Sequence, residues 1–290
     1  MTDLRDLGDA PLLERLAAKS TELSRAERKV ADVVLENPTF AMDATMAAVA
    51  DTAGVSEPTV MRFCLSMGYD GFQSFKLALA QSLALGFPAT FASISATDDV
   101  GQLSHKIFDH TISSLDRARR SLDETELDKA VGAILQADRI NFAGVGASAL
   151  VAMDGEQRAP LFGLPATAAP DAHQQLMAAA MATPETVTIV ISNTGRVRSM
   201  IEIARTARSN GSTVIGISGE DTPLLQHCDV HLIVRTFEDT DFFTPTVSRI
   251  AGLVVIDILA MAVALRRGDA HAQRLSGMKQ QLATYRRSIG

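Results

Sequence analysis

The segment AGVSEPTVMRFC, residues 53–64, joins two short helical stretches through a tight corner. Gly54 stands where such a corner requires a positive φ, which glycine adopts at low cost. Ser56 and Pro58 fit the first turn of the following helix, which Ser56 can cap through its hydroxyl. Ala50 is small enough to let the two helices cross closely. This spacing is typical of a DNA-reading helix-turn-helix.

The outward face of the second helix is predicted to be polar, with Ser56, Glu57, Thr59 and Arg62 on it. Hydroxyl groups contact phosphates or base edges, and Arg62 can make paired hydrogen bonds to guanine. The competing interpretation is a plain helical hairpin. It gains support because acidic residues outnumber Lys and Arg over residues 1–86, so the usual basic footprint is missing. The fit of the whole pattern favours the DNA-reading interpretation.

The chain around this corner changes its pattern twice. Residues 1–86 are predicted to form the first domain, in which every signal from Pro11 to Leu85 is helical. Ser24 and Glu27 have the capping-box spacing that begins one helix, and Asn37-Pro38 ends it. Residues 87–102 are small, polar and proline-containing, which predicts a linker. Residues 103–290 begin with a helix and then alternate short apolar runs with helical stretches. The pattern indicates an all-α N-terminal domain and a doubly wound parallel α/β domain.

Buried strands are predicted at residues 139–143, 186–191, 213–218 and 229–234, with a weaker one near Pro165. One helix, residues 103–122, is predicted before the first strand. The helices that alternate with the strands are predicted at residues 148–161, 173–182, 197–209 and 246–266. Ligands of such sheets bind beyond the carboxyl ends of the strands.

Composition excludes several classes of protein. The net charge is −7 and Trp is absent, which argues against bulk electrostatic coating of nucleic acid and against stacking on single strands. The two cysteines are far apart and fit a reducing compartment. The N-terminus does not resemble a signal peptide, and the apolar run 250–265 contains Asp257, so it is interpreted as a buried helix. A cytoplasmic protein with no membrane partner is expected.

Two glycine-containing turns follow predicted strands. In FAGVGASA, residues 142–149, the backbone amides near Gly144 and Gly146 can hold an anion, and Ser148 adds a hydroxyl. The spacing Gly144-x-Gly146-x-x-Ala149 also fits a dinucleotide fingerprint, although Asp171 is a poor match for its acidic residue. A nicotinamide-dependent protein therefore stays an alternative.

The second turn, VISNTGRVRS at residues 190–199, favours a phosphate ligand. It supplies Ser192, Asn193, Thr194, Gly195 and Arg196 at the end of the next strand. Two hydroxyl-rich turns at neighbouring strand ends make a compact site for a phosphomonoester, and Arg196 adds positive charge.

The corner, the linker, GVGASA and ISNTGR occur in an order that resembles the RpiR family over essentially the whole chain. Members of that family join a helix-turn-helix domain to a phosphosugar-binding SIS domain. SEPTVMRFC, GFQSFKLALAQSLA and VIDILA are most similar to its HexR branch. This resemblance implies a repressor of glucose-catabolism genes, without cofactor or catalytic activity, whose effector is 2-keto-3-deoxy-6-phosphogluconate.

The resemblance also implies roles for individual residues. Ser148, Ser192 and Thr194 match the phosphosugar-binding hydroxyls. Ser56, Thr59 and Arg62 match the DNA-reading helix, and Lys76 is placed to reach the DNA backbone. The chain departs from the family at Val197, where SIS loops usually have a second threonine; Arg196, Arg198 or Ser199 can compensate.

A homodimer or homotetramer on a roughly palindromic duplex operator is expected, since paired corner helices read successive major grooves about 10 base pairs apart. The alternative function is a sugar-phosphate isomerase with a helical accessory domain. Its base would be Glu238, Asp241 or His173. His227, Cys228 and His231 suggest a metal, but Cys228 and His231 fall on opposite faces of a strand, so no metal site is expected.

Overall fold

The computed structural model describes residues 12–19, 23–84, 98–238 and 246–288. The chain divides into two compact units, Met1–Arg117 and Ala118–Gly290. Most of the predicted linker, residues 87–97, lies outside the described residues.

The first unit is helical, and no strand occurs among its described residues. Its helices are α1 (Leu12–Lys19), α2 (Arg25–Glu36), α3 (Pro38–Asp43), α4 (Met46–Ala53), α5 (Glu57–Ser66) and α6 (Phe72–Ala84).

Local capping explains where α2 and α3 begin. The predicted capping box is present, because the Glu27 N–H donates to the Ser24 hydroxyl and the Ser24 N–H donates to the Glu27 carboxylate. Pro38 was interpreted only as the end of a helix, but it is also the first residue of α3. Asn37 accepts the Phe40 N–H at 2.9 Å and so caps this unpredicted helix.

The core of the first unit lies where α5 meets α6. Phe63 and Phe75 are fully buried, with ring centroids 5.3 Å apart in an edge-on arrangement. Leu16, Val30 and Val49 are buried in the same unit. Each such side chain contributes about 1.5–3 kcal/mol through burial. This core fixes the orientation of α5.

The second unit continues from α7, which begins before the division at Arg117. Most of α7 (Val100–Ser121) belongs to the first unit, and only its last residues, Ala118–Ser121, lie in the second. The elements that follow are α8 (Glu124–Gln136), β1 (Arg139–Gly144), α9 (Ala147–Gln157), α10 (Ala159–Phe162), β2 (Ala166–Ala168), α11 (Ala172–Ala180), β3 (Thr186–Ile191), α12 (Arg198–Ser209), β4 (Thr213–Ser218), a short 3-10 helix (Leu225–His227), β5 (Val230–Ile233), α13 (Val247–Arg266) and α14 (Asp269–Ser288).

The five strands form one parallel sheet in the order β2-β1-β3-β4-β5. The doubly wound prediction is confirmed, and the four strong strand predictions agree with the structure to within one residue. Gly144 pairs with Ile191, which in turn pairs with Ile217. The carboxyl ends of β1, β3 and β4 therefore lie side by side, and the strand order reverses between β1 and β3, where such sheets bind ligands.

Two helices of this unit, α8 and α14, were not predicted. Asp123 caps α8, and Ala130, Val131 and Ile134 bury one face of it. Arg286 and Arg287 lie in the last turn of α14, whose mostly exposed surface gives little apolar pattern.

By length and composition, α13 is the one helix of the described residues that is long and apolar enough to cross a membrane. It packs on α8, α9 and α10, and Ala251, Val255 and Leu259 are buried. These contacts are those of a core helix, as the sequence suggested.

Candidate functional sites

The corner between α4 and α5 has the predicted geometry. Gly54 has φ 60°, and its N–H donates to the Asp51 carbonyl at 3.0 Å. The Val55 N–H reaches back to the Ala50 carbonyl at 2.9 Å, and the Ala50 side chain is buried. These bonds satisfy the last carbonyls of α4 while the chain reverses into α5.

The exposed face of α5 differs from the prediction at one residue. Ser56, Glu57 and Arg62 are exposed as expected, but Thr59 keeps only 5% of its surface exposed, so its placement on the outward face is wrong. The Thr59 hydroxyl bonds to the Ser56 hydroxyl at 3.0 Å and accepts from Arg62 Nη2 at 3.2 Å. Ser56 consequently makes no side-chain cap on α5, contrary to expectation. Thr59 instead orients the exposed guanidinium of Arg62.

Lys76 lies beside the N-terminus of α4. Its ammonium donates to the Ala44 carbonyl at 3.0 Å and stands 5.8 Å from the centre of the Phe72 ring. Thr45 caps α4 there by accepting the Ala48 N–H at 3.2 Å. A cation next to the positive end of a helix attracts a phosphate.

Sequence reasoning missed a source of positive charge on α2. Arg25, Arg28 and Lys29 are exposed there, and α2 packs on both α4 and α5. Net charge hid these three cations because acidic residues cancel them, including Glu27, Asp32 and Glu36 on α2 itself.

A cavity of about 280 Å³ lies at the carboxyl ends of β1, β3 and β4. Five of the nine residues predicted to bind the phosphosugar line it: Gly146, Ser148, Ser192, Asn193 and Thr194. Other lining residues were not predicted as ligand contacts: Val145, Ala147, Val151, Ile191, Val197, Ile217, Ser218, Val234, Ser248, Arg249 and Gly252. The two predicted turns thus face one common space.

Four predicted residues, Gly144, Gly195, Arg196 and Ser199, are not among the lining residues. Gly144 and Gly195 act in packing. A methyl group on Gly144 would lie 2.6 Å from the Ser148 carbonyl oxygen, and one on Gly195 would lie 1.9 Å from Thr222 Oγ1. The expectation that these four residues face the ligand therefore needs correction.

Arg196 points away because its side chain is 69% exposed and pairs with Glu220 at 3.8 Å. Ser199 falls in the first turn of α12, behind Val197, which does line the cavity. Val197 therefore makes this part of the cavity wall apolar, where SIS loops usually have a threonine hydroxyl. Neither Arg196 nor Ser199 lines the cavity to replace that hydroxyl.

The hydroxyls that line the cavity are available to a ligand. Ser148, Ser192 and Thr194 make no side-chain hydrogen bond within the described part of the chain. No side chain caps α9 or α12, whose N-termini begin at the same cavity. Free hydroxyls beside two uncapped helix N-termini suit an anion such as a phosphate.

The third wall comes from the start of α13, through Ser248, Arg249 and Gly252. A strand end followed by a helix start is the same signal that identified the other two turns. Here the intervening residues 239–245, which lie outside the described residues, contain the hydroxyls of Thr240 and Thr244 but no glycine, and glycine marked the other two turns.

Gln175 supports the first turn from behind. It is 3% exposed, and its Nε2 donates to the carbonyls of Gly144 and Ala169, both at 2.9 Å. Its Oε1 has no hydrogen-bond partner among the described residues. The neighbouring His173, a candidate base of the isomerase alternative, is exposed and is not among the described residues that line the cavity.

Residues proposed for other chemistry have structural roles. Both oxygens of Glu238 accept backbone N–H groups at the start of α13, from Thr246 at 3.0 Å and Ser248 at 2.7 Å. Asp171 caps α11, and the hydrogen bond from the Gln174 N–H lowers the pKa of its carboxyl. Asp241 lies outside the described residues.

The metal hypothesis finds no support in the described ranges. No group of three or more His, Cys, Asp or Glu residues there has metal-binding geometry. Burial raises the pKa of the Cys228 thiol to about 12, so it carries no thiolate at neutral pH.

A helix-turn-helix unit joined to an α/β unit with a cavity at its strand ends is the architecture of a transcription regulator. The sequence matches the family model for a helix-turn-helix domain of the rpiR family over residues 10–86 and that for the SIS domain over residues 133–262. The chain therefore belongs to the rpiR family of helix-turn-helix regulators, which confirms the resemblance.

Full-length relatives support this membership. The chain is 42% identical to the HTH-type transcriptional regulator HexR of Pseudomonas aeruginosa over 275 residues, covering 95% of this chain and 96% of that protein. It is 40% identical to HexR of Escherichia coli over 271 residues, covering 93% and 94%. The solved structure of the Vibrio vulnificus NanR protein complexed with ManNAc-6P matches with a TM-score of 0.58 and 25% identity, covering 94% of this chain and 98% of NanR.

Proposed function

We propose that this regulator is a repressor that binds operator DNA through α5 and releases it when a phosphosugar binds at the strand ends. The observation that carries the proposal is the cavity where the free hydroxyls of Ser148, Ser192 and Thr194 meet two uncapped helix N-termini. Such a site favours a phosphate group.

The proposed effector is 2-keto-3-deoxy-6-phosphogluconate, as the HexR resemblance implies. Vibrio vulnificus NanR, which shares this fold, was solved in complex with the sugar phosphate ManNAc-6P. The likeness of ligand class supports a phosphorylated sugar as the effector here.

On the DNA, Arg62 is proposed to read base edges, while Ser56, Glu57 and Lys76 contact or adjoin the backbone. Arg62 is exposed and held by Thr59 at 3.2 Å, so its guanidinium is oriented before DNA arrives. Lys76 beside the start of α4 gives a phosphate contact. We include Thr59 as a support for Arg62 rather than a contact.

A palindromic operator requires at least two copies of the chain, and a cytoplasmic homodimer or homotetramer is proposed. Val254, Ile258, Met261 and Leu265 form an exposed apolar stripe along one face of α13. Leu150 of the adjoining α9 is exposed as well. A stripe of this kind on a helix face supports self-association through the second unit.

Coupling between effector and operator is proposed to pass through Ser121 at the end of α7. Its hydroxyl accepts the Arg235 N–H at 2.9 Å, and it shares its one proton between the Ala118 carbonyl at 2.9 Å and the Ile233 carbonyl at 3.2 Å. Val234, between these two residues, lines the cavity. Movement of Val234 on ligand binding therefore acts on α7. The effector must prefer one state by a few kcal/mol to release the operator.

The isomerase alternative receives no specific support. The described lining residues carry no carboxylate or imidazole, and isomerisation needs a base near the sugar carbons. Glu238 is occupied at the start of α13, and His173 lies away from the cavity.

A mobility-shift experiment with the promoter beside the chain's own gene tests the proposal. We expect the protein to retard this DNA and 2-keto-3-deoxy-6-phosphogluconate to release it, whereas inorganic phosphate does not. The proposal is contradicted if no sugar phosphate alters the retardation of the DNA. It is also contradicted if the protein steadily turns over sugar phosphates without binding DNA.

A further inference from the structure

The α13 wall of the cavity differs in chemistry from the two hydroxyl-bearing turns. We propose that Arg249 binds a carboxylate of the effector. It thereby selects a sugar phosphate that carries a carboxylate (acidic) over one that carries none (neutral). This inference rests on the proposed phosphosugar function and concerns the end of the ligand that is remote from its phosphate.

Arg249 is the only charged residue among the described residues that line the cavity. It is half-buried and makes no ion pair within the described ranges. The cation that the sequence suggested for this site, Arg196, is exposed and paired with Glu220. A positive charge inside the cavity without a protein partner calls for an anion from the ligand.

The position of Arg249 on its helix gives the same indication. A cation in the first turn of a 20-residue helix opposes the helix dipole. At the other end of α13, Arg266 lies in the last turn, where a cation interacts favourably with the helix dipole, and it pairs with Asp128. The unfavourable placement of Arg249 is offset once an anion binds beside it.

Glu238 makes no ion pair with Arg249 within the described ranges. Its two carboxylate oxygens accept the N–H groups of Thr246 and Ser248, so the exposed amides at the start of α13 are occupied. An anion at this wall therefore meets the guanidinium of Arg249 and the free hydroxyl of Ser248 rather than the helix amides. A planar carboxylate matches the paired donors of a guanidinium.

The cavity has room for both ends of such a ligand. Its volume of about 280 Å³ lies near the lower end of small-molecule sites. The phosphate is assigned to the turns after β1 and β3, and α13 faces them across the space. Gly252 keeps α13 close to α9, since a methyl group there would lie 3.2 Å from Val151.

Calorimetric titration of the full chain with two six-carbon phosphates tests the inference. The acidic probe is 2-keto-3-deoxy-6-phosphogluconate and the neutral probe is fructose 6-phosphate. We expect the unaltered chain to prefer the acidic probe by at least about tenfold, and Arg249→Gln to reduce this preference to within about threefold. Arg249→Lys keeps the charge and should retain part of the preference.

Arg196→Gln is the matched control, because its guanidinium lies outside the cavity; it should leave both affinities within about twofold. Operator retardation by Arg249→Gln checks that the variant is folded. An unchanged preference in Arg249→Gln, or an equal loss for both probes, overturns the assignment of Arg249. If the unaltered chain binds neither probe, the proposed phosphosugar function fails instead, and the inference fails with it.

Discussion

Hydroxyl groups stand at the candidate sites of both units, but their hydrogen bonding differs. In the first unit, the Thr59 hydroxyl is buried and bonded on both sides, to Ser56 and Arg62. In the second unit, Ser148 and Ser192 line a cavity with hydroxyls that bond to no described residue. A satisfied hydroxyl orients another side chain, whereas an unsatisfied one is ready for a ligand. Residue type alone does not separate these two roles.

The largest effect is expected from a substitution that disrupts only the candidate DNA-binding site of the first unit. Arg62→Ala should lower operator affinity by about a hundredfold or more, since it removes the exposed guanidinium that is proposed to read guanine. Effector affinity should stay unchanged. Quantitative mobility shifts and calorimetry measure the two. Arg205→Ala, another exposed arginine on α12, serves as the control and should leave both unaltered. If Arg62→Ala binds the operator with full affinity, α5 is excluded as the helix that reads the DNA.

Removing one unsatisfied hydroxyl tests the second unit in the same way. Ser192 lines the cavity and its hydroxyl bonds to no described residue, so Ser192→Ala removes the proposed ligand contact without breaking a described protein hydrogen bond. Effector affinity should fall about tenfold while operator affinity holds. Ser209→Ala, which changes only a hydroxyl bonded within its own helix, should behave like the unaltered chain. A normal effector response in Ser192→Ala is incompatible with the cavity assignment.

A smaller effect is expected at the contact between Ser121 of α7 and the residues that flank Val234, which lines the cavity. Ser121→Ala breaks both bonds to the end of β5 and should weaken release of operator by effector about fivefold, with each separate affinity nearly intact. The concentration of effector for half-release is the measurement. Thr111→Ala removes a hydroxyl bonded locally within α7 and should leave coupling as it was. Unchanged coupling in Ser121→Ala would exclude this route.

The smallest effect is expected from removing the Thr59 hydroxyl, which already has protein hydrogen-bond partners. Thr59→Val keeps the shape of the side chain but frees Arg62, and should lower operator affinity about threefold. Thr52→Val is the matched control on α4, where the hydroxyl bonds only to the Ala48 carbonyl. If Thr59→Val lowers affinity as much as Arg62→Ala, Thr59 has a larger part than orienting Arg62.

What could be predicted from the sequence was local. Strands β3 and β4 stand out as short apolar runs because both faces of a parallel sheet are covered. The turns after β1 and β3 were identified from glycine and hydroxyl residues next to such runs. Gly54 was identified because a corner between two short helices needs a positive φ.

What escaped prediction depends on contacts between distant segments. The direction of Thr59 is set by how α5 packs in its unit, and the absence of Arg196 from the cavity by its pairing with Glu220. Arg249 reaches the cavity only because α13 packs on α9, far away in sequence. Pro38 was interpreted as a stop although proline is equally suited to the first position of a helix.

Each unit contains one of the chain's two cysteines, and both are buried. Burial raises the pKa of the Cys64 thiol to about 12, as it does for Cys228. Neither thiol is therefore reactive while its unit is folded, and thiol-alkylating reagents in the medium should leave both cysteines unmodified. Modification at Cys64 and Cys228, followed by peptide mass spectrometry during denaturant titration, gives a natural reporter for the separate unfolding of the two halves.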